Sequence, residues 1–250
     1  MSEVAKRDAR IAAIFDLDGT LIPGPSLEWR LFCELRRNKK ISFANYLRWA
    51  VEALRLLPAG PLAVQHGNKR YLTDIHRDLA FRHLESISFF SEGIAQVAWH
   101  ARQGHDIVLL SGTLASLAQL VAVALECELE VRGVQVRPRV CATCLAEKRD
   151  RWTGYVVGEV LYGAAKVRAL KAIATQEDID LRQSHAYANG LLDHYVLCAV
   201  GHANAVNPGK DLAALAKQKH WPIWHWRLEK QVDAPPNKLP KEIQHVEERA

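Results

Sequence analysis

The stretch that decides the fold is IAAIFDLDGTLIPG, residues 11–24. Its first five residues are apolar and rich in β-forming types, so residues 11–15 are predicted to form a buried strand. Two aspartates, Asp16 and Asp18, follow at once, and the glycine and threonine after them predict a turn. Because two close carboxylates repel each other unless a cation or a proton lies between them, this turn is a candidate site for chemistry.

Three later segments repeat this pattern of a short apolar run that ends in small or polar residues. They are 106–110 before Ser111-Gly112-Thr113, 185–188 before Asn189-Gly190, and 203–206 before Asn207-Pro208-Gly209. An apolar-rich helix is predicted from Leu114 to about Glu126, with Ser111 and Thr113 at its opening. Strands that alternate with helices predict an α/β fold, a Rossmann-like parallel sheet with helices on both faces.

Two segments depart from this alternation. Residues 25–88 have helical periods and many basic residues, which predicts a helical insertion, and residues 131–160 predict a β-hairpin flap. The predicted division is therefore a core of 10–24 and 89–227, a helical insertion of 25–88 and a polar tail of 228–250.

Aromatic residues recur at helical spacing within the predicted insertion. They are Trp29, Phe32, Phe43, Tyr46 and Trp49. Their spacing predicts that they form the core of the insertion, and the alternative is that one of them lines a substrate pocket.

Composition narrows the class of protein. The chain has 250 residues, 49% of them hydrophobic, and a net charge of +5, which suits a small anionic substrate. Aromatic residues are not interleaved with lysine and arginine in a nucleic-acid-binding motif, so no nucleic-acid partner is predicted. The N-terminal MSEVAKRDAR lacks an apolar signal region, no apolar run is long enough to span a bilayer, and the five cysteines are odd in number. We therefore expect a cytoplasmic protein with reduced thiols, and the oligomeric state stays open.

The predicted strand ends carry the candidate functional residues, because ligands bind at the carboxyl ends of the strands in parallel sheets. These residues are Asp16, Asp18, Ser111, Asn189 and Asp193. Carboxylate and amide oxygens suit Mg²⁺ rather than zinc. The amide groups at the predicted helix opening favour a phosphate, and Lys166 in GAAKVRAL could supply a positive charge for the same anion.

Four motifs in order resemble those of the haloacid dehalogenase superfamily, in its phosphoserine phosphatase-like branch. They are FDLDGT at 15–20, Ser111-Gly112-Thr113, Lys166 in GAAKVRAL, and YANGLLDHYVL at 187–197. The resemblance extends over about residues 11–227 and implies a Mg²⁺-dependent phosphomonoester hydrolase that acts on a small phosphorylated metabolite.

The resemblance also implies a role for each motif residue. Asp16 is the expected nucleophile, which forms an aspartyl-phosphate, and Asp18 is the expected general acid and base. Ser111, Lys166 and the amide of Gly112 are expected to hold the phosphoryl group. The expected Mg²⁺ ligands are Asp16, Asp18 (through its backbone carbonyl), Asn189 and Asp193. The helical insertion corresponds to the cap that closes over the substrate.

One position departs from the family pattern, because Asn189 stands where the family has a metal-binding aspartate. An amide oxygen can coordinate Mg²⁺ but brings no negative charge, so weaker metal binding is expected. The alternative function is therefore a catalytically weakened or inactive binding protein with the same fold. Glu28 lies near the family's amine-binding glutamate, but its context PSLEWRLF does not match, and no role is assigned to it.

Overall fold

The computed structural model describes residues 9–78 and 87–228. Seven strands form one sheet in the order β4-β3-β2-β1-β5-β6-β7. The strands are β1 (Ala12–Phe15), β2 (Asp106–Leu114), β3 (Arg139–Lys148), β4 (Arg151–Val157), β5 (His185–Ala188), β6 (His202–Val206) and β7 (Ile223–Trp224). All neighbours run parallel except β3 and β4, which are antiparallel.

Eight α-helices lie within the described residues. They are α1 (Leu27–Arg37), α2 (Phe43–Leu56), α3 (Pro61–Gly67), α4 (Ser91–Arg102), α5 (Ala115–Val131), α6 (Ala164–Glu177), α7 (His194–Leu197) and α8 (Lys210–Gln218). Three short 3₁₀ helices accompany them at Leu57–Ala59, Arg70–Leu72 and Leu191–Asp193. None of these helices is long and apolar enough to cross a membrane.

The predicted α/β fold is confirmed. Strand β1 lies between β2 and β5, and its alternating side chains pack into two separate apolar clusters on opposite faces of the sheet. Ala13 and Phe15 belong to one cluster, whereas Ala12 and Ile14 belong to the other. Burial on both faces explains why the strand reads as a continuous apolar run rather than an alternating one.

The predicted hairpin consists of β3 and β4, and it is joined to both the main sheet and the cap segment. The first half of β3 pairs in parallel with β2, while its second half pairs with β4. Backbone groups of Trp152 bond to Asp74 and Ile75, and the Arg70 guanidinium donates to the carbonyl oxygen of Thr153 at 2.8 Å. The hairpin therefore supports one side of the cap segment.

The predicted aromatic core of the cap is wrong for four of its five residues, whereas Phe32 is half-buried and packs against the main apolar cluster. Trp29, Tyr46 and Trp49 are 55%, 37% and 42% exposed, and Phe43 is 85% exposed. Aliphatic residues of α1 are buried instead, at the i, i+4, i+8 positions Leu27, Leu31 and Leu35. Helical spacing showed that the aromatic side chains share helix faces, but it did not show that those faces are covered.

The predicted domain boundaries stay predictions. Residues 79–86 of the predicted cap and 229–250 of the predicted tail lie outside the described residues.

Candidate active site

A cavity of about 820 Å³ lies at the carboxyl ends of β1, β2 and β5, and the cap segment covers it. All seven residues predicted for the site line this cavity, namely Asp16, Asp18, Ser111, Gly112, Lys166, Asn189 and Asp193. They come from four separated parts of the chain, and the parallel sheet brings them to one edge.

The turn after β1 holds the two aspartates in place. The Asp16 amide donates to the Tyr187 carbonyl oxygen at 3.0 Å, and the Gly19 amide donates to the Ile22 carbonyl oxygen at 2.7 Å. Gly19 has a φ of +83°, and a Cβ atom there would lie 2.1 Å from Nδ2 of Asn189. The turn therefore requires glycine both for its backbone conformation and for the close approach of Asn189.

Lys166 joins two carboxylates at the base of the cavity. Its Nζ atom donates to Oδ1 of Asp16 at 2.7 Å and to Oδ1 of Asp193 at 2.6 Å. The side chains of all three residues are at most 10% exposed. One buried ammonium thus neutralises part of the charge of two buried carboxylates, which would otherwise be costly to bury.

The protonation equilibria of these groups are strongly shifted. Burial raises the pKa of Asp16 to about 7; the Lys166 ammonium opposes this shift, and the Asp193 and Asp18 carboxylates add to it. Burial lowers the pKa of Lys166, but the carboxylates of Asp16 and Asp193 outweigh burial and leave the pKa above its usual value. The ammonium is therefore charged at neutral pH.

Asp18 connects the turn after β1 to the cap segment. Its Oδ1 atom accepts a hydrogen bond of 2.9 Å from the backbone amide of Leu27, the first residue of α1. Burial raises the pKa of Asp18, while the hydrogen bond from Leu27 opposes this shift. The first helix of the cap therefore orients the carboxyl group predicted to be the general acid.

The second motif lies at the end of β2 rather than at the opening of a helix. Residues Ser111–Thr113 are part of β2, and the following helix begins at Ala115, so the predicted helix opening at Ser111 and Thr113 is wrong. Thr143 of β3 accounts for this, because its hydroxyl donates to the Gly112 carbonyl oxygen at 2.8 Å and keeps the segment extended. A Cβ at Gly112 would lie 2.9 Å from the Leu161 carbonyl oxygen, so this position also requires glycine.

The oxygen atoms at this edge fit Mg²⁺. Asp16, Asp193, the Asp18 carbonyl group and the side-chain oxygen of Asn189 form an all-oxygen donor set of the kind that Mg²⁺ prefers. Lys166 occupies Oδ1 of Asp16 and Oδ1 of Asp193, and the Thr20 hydroxyl lies 3.2 Å from Oδ2 of Asp16 and 3.4 Å from Oδ1 of Asn189, so it can donate to only one of these two oxygens at a time. Each side chain therefore retains an oxygen atom with capacity for a cation.

Comparison with known proteins identifies the family. Residues 13–197 match the haloacid dehalogenase-like hydrolase family. The chain belongs to this family. The match confirms the resemblance predicted from the four motifs.

Curated relatives of this hydrolase include phosphatases. It is 27% identical to phosphoserine phosphatase SerB1 of Mycobacterium tuberculosis, over 88% of this chain and 72% of that protein. It is 28% identical to the inhibition of morphological differentiation protein of Streptomyces azureus, over 86% of this chain and 78% of the relative. The first of these relatives supports the predicted enzyme class, a phosphatase.

Solved structures share the fold of this hydrolase. A phospho-aspartyl intermediate analogue of phosphoserine phosphatase aligns with a TM-score of 0.61 at 19% identity, over 89% of this chain and 96% of that chain. A protein of unknown function from Bordetella pertussis Tohama I aligns with a TM-score of 0.62 at 22% identity, over 87% and 99% of the two chains.

The cap contributes a buried ion pair that the sequence did not predict. Nζ of Lys69 lies 2.6 Å from Oε2 of Glu28, and Lys69 is 3% exposed. The other carboxylate oxygen, Oε1 of Glu28, is buried without a hydrogen-bond partner among the described residues. Glu28 had been noted in the sequence, but Lys69 lies in GNKRYL, which carries no recognisable motif. Only the folded cap brings the two residues together across the cavity wall.

Aromatic rings form much of the rest of the cavity wall. Those from the cap are Trp29, Phe32, Tyr46, Trp49 and Tyr71. The rings contact one another, since Phe32 lies 5.5 Å from Trp29 and 5.4 Å from Tyr71 between ring centroids. The cavity therefore has a charged, polar end at the sheet and an aromatic wall at the cap, which also contains the Glu28–Lys69 ion pair.

Proposed function

We propose that the protein is a Mg²⁺-dependent phosphomonoester hydrolase that works through an aspartyl-phosphate on Asp16. The observation that carries the proposal is the contact of Lys166 with both Asp16 and Asp193 at the base of the cavity. A buried ammonium beside a carboxylate suits the binding of an anionic phosphoryl group next to a nucleophile. The family match and the curated phosphatases support the same reaction class.

The reaction has two steps. In the first, a carboxylate oxygen of Asp16 attacks phosphorus, the bond from phosphorus to the leaving oxygen breaks, and Asp18 gives its proton to that oxygen. In the second, a water molecule attacks phosphorus and gives a proton to Asp18, and the bond from Asp16 to phosphorus breaks. The products are an alcohol and inorganic phosphate, and both aspartates return to their starting state.

The remaining predicted residues bind the phosphoryl group and the cation. Lys166, the Ser111 hydroxyl and the Gly112 amide hold phosphoryl oxygens as charge moves onto them. Asp16, the Asp18 carbonyl, Asn189 and Asp193 would hold Mg²⁺, which supplies positive charge that reduces repulsion between nucleophile and phosphate.

The shape of the cavity favours a leaving group larger than serine. A serine side chain and its backbone groups fill a small part of about 820 Å³, whereas a ring or an alkyl chain can contact the aromatic wall. We therefore propose a phosphomonoester of a bulky, partly apolar alcohol.

Phosphate release from a matched substrate series tests the reaction and the substrate class together. The series is phosphoserine, phenyl phosphate and naphthyl phosphate, each with Mg²⁺ and with EDTA. We expect Mg²⁺-dependent release that Asp16→Asn abolishes, with the highest kcat/KM for naphthyl phosphate. Absence of release across a broad phosphomonoester panel contradicts the reaction, whereas a preference for phosphoserine contradicts the substrate class alone.

The alternative, a binding protein without turnover, rests on Asn189. Calorimetric titration with Mg²⁺ and beryllium fluoride separates the two functions, because tight joint binding is expected for an enzyme that forms an aspartyl-phosphate. A weak or absent signal that becomes strong in Asn189→Asp would favour the inactive protein.

The free cysteines bear on the proposed location of the enzyme. All five cysteines are free in the structure, which agrees with the proposed cytoplasmic location. The proposed partner is a small phosphorylated metabolite rather than a nucleic acid, and steeply salt-dependent retention on DNA or RNA would contradict this.

A further inference from the structure

A cluster of histidines lies at the edge of the sheet opposite the cavity. His105 directly precedes β2, His185 begins β5, and His100 of α4 packs over both. These positions are at the amino ends of the strands, whereas the cavity is at their carboxyl ends. His185 lies four residues before Asn189, which is about 13 Å along an extended strand. The histidine cluster is therefore separate from the catalytic site.

The ring nitrogens of this cluster converge. One nitrogen each of His100, His105 and His185 lies within 4.8 Å of the other two. Nδ1 of His100 is 2.8 Å from Nδ1 of His105. Nitrogen ligands of a tetrahedral metal with bonds of about 2.1 Å are about 3.4 Å apart. Small side-chain rotations would therefore bring all three nitrogens to bonding distance from one ion.

The Tyr187 hydroxyl is placed where it can accept the ring proton of the His100 tautomer that a metal needs. A metal on Nδ1 of His100 requires the ring proton to be on Nε2, and the Tyr187 hydroxyl oxygen lies 2.9 Å from that atom. The same hydroxyl oxygen accepts a hydrogen bond of 2.8 Å from Gln96. Outer hydrogen bonds of this kind commonly fix the tautomer of metal-binding histidines.

One ring of the cluster is buried and the other two are half-buried. His100 is fully buried, and burial lowers its pKa to about 3, with the neighbouring His185 and His105 adding to the shift. The indole of Trp99 lies with its ring edge-on to His100, at 4.7 Å between centroids. A hydrogen bond between His100 and His105 accounts for two of the rings, but it does not explain why His185 converges on them.

We propose that His100, His105 and His185 form a binding site for one Zn²⁺ ion. Three imidazole nitrogens suit zinc and related transition metals, whereas Mg²⁺ prefers oxygen ligands. The ion replaces the proton that lies between Nδ1 of His100 and Nδ1 of His105. That proton moves to Nε2 of the ring that carried it. It joins α4 to the starts of β2 and β5, so its expected effect is on stability.

Zinc titration of the full chain without a polyhistidine tag tests the site. The protein is first freed of metal with EDTA and then dialysed into saturating Mg²⁺, so that the cation site at Asp16 does not bind the added Zn²⁺. We expect one Zn²⁺ per chain, a higher thermal midpoint, and the visible absorption of tetrahedral Co²⁺ when Co²⁺ replaces Zn²⁺. The Co²⁺ spectrum tests the site directly in the unmodified chain.

Variants assign the binding to the three rings. His105→Gln and His185→Gln should each weaken Zn²⁺ binding by about 100-fold or more, and Tyr187→Phe by about 10-fold. His225→Gln is the matched control, because His225 is exposed and lies outside the cluster. Absence of stoichiometric Zn²⁺ binding, a Co²⁺ spectrum without tetrahedral absorption, or unchanged binding in both cluster variants would overturn the proposal. None of these readouts depends on phosphatase activity.

Discussion

Lys166→Met tests the charge balance at the base of the cavity. The change removes the ammonium that lies 2.7 Å from Asp16 and 2.6 Å from Asp193, and both carboxylates stay buried. Removing one partner of a buried ion pair costs about 3–5 kcal/mol, because the remaining charge has no compensation. We expect the free energy of unfolding at pH 8 to fall by about 4 kcal/mol and phosphate release to be abolished.

The loss of unfolding free energy in Lys166→Met should be larger at high pH than at low pH. Burial already raises the pKa of Asp16 from 3.8 to about 7, although Lys166 opposes this shift, so the pKa rises further without Lys166. A carboxyl whose pKa is raised by folding stabilises the protein while it is protonated, and this contribution disappears as the pH rises through the folded pKa. Lys166→Met should therefore be closer to the wild type in stability at pH 5 than at pH 8.

Urea unfolding in EDTA at both pH values measures this effect. The double variant Lys166→Met/Asp193→Asn removes one charge of each sign, so it should regain part of the stability but no activity. A loss below about 1 kcal/mol at pH 8, equal to that at pH 5, would refute the reasoning, because a loss of that size is typical of solvent-exposed ion pairs.

Three further predictions concern the turn, the cation and the cavity wall. Gly19→Ala should abolish activity and destabilise the protein by more than the matched control Gly104→Ala. Gly104 has a φ of +75° and open space around it, so Gly104→Ala should lower the free energy of unfolding by only about 1–2 kcal/mol in urea unfolding. Asn189→Asp should tighten Mg²⁺ binding about tenfold or more in calorimetry and lower stability in EDTA, and unchanged Mg²⁺ affinity would contradict the proposed ligand role. Trp49→Ala should raise KM for naphthyl phosphate about tenfold without changing inhibition by inorganic phosphate, and an equal effect on both would place Trp49 away from the leaving group.

The polar end of the cavity, at the carboxyl ends of the strands, was predictable from local sequence. Each of the strands that carry it is buried on both faces, so each appears as a short apolar run that ends in a turn. Parallel topology then brings the ends of these strands to one edge, and Asp16, Ser111 and Asn189 line the same cavity for that reason. Four short motifs in order added the expected role of each residue.

The second motif shows where local sequence was insufficient. Ser-Gly-Thr before an apolar helix resembles a helix opening, but a hydroxyl from Thr143, thirty-one residues away from Gly112, keeps the segment in the sheet. A contact between strands that are distant in sequence leaves no signal in a short window, so the extended conformation could not be predicted.

The cap and the histidine cluster are the features that local sequence predicted least well. Helical period predicted amphipathic helices, but which face is covered depends on the partner against which each helix packs. Trp29 and Trp49 line the cavity, which agrees with the alternative prediction for these aromatic residues rather than with a core. The three histidines of the cluster converge because helix α4 and the starts of β2 and β5 meet at the amino ends of the strands.

The sequence by itself determined the parallel sheet, the polar residues at the carboxyl ends of its strands and the family, because burial and motif order are properties of short, contiguous segments. The tertiary structure alone decided how the charges pair, what shape the substrate cavity takes and which histidines meet. Those features arise from contacts between segments far apart in the chain, whose distances and burial are fixed when the helices and strands pack together.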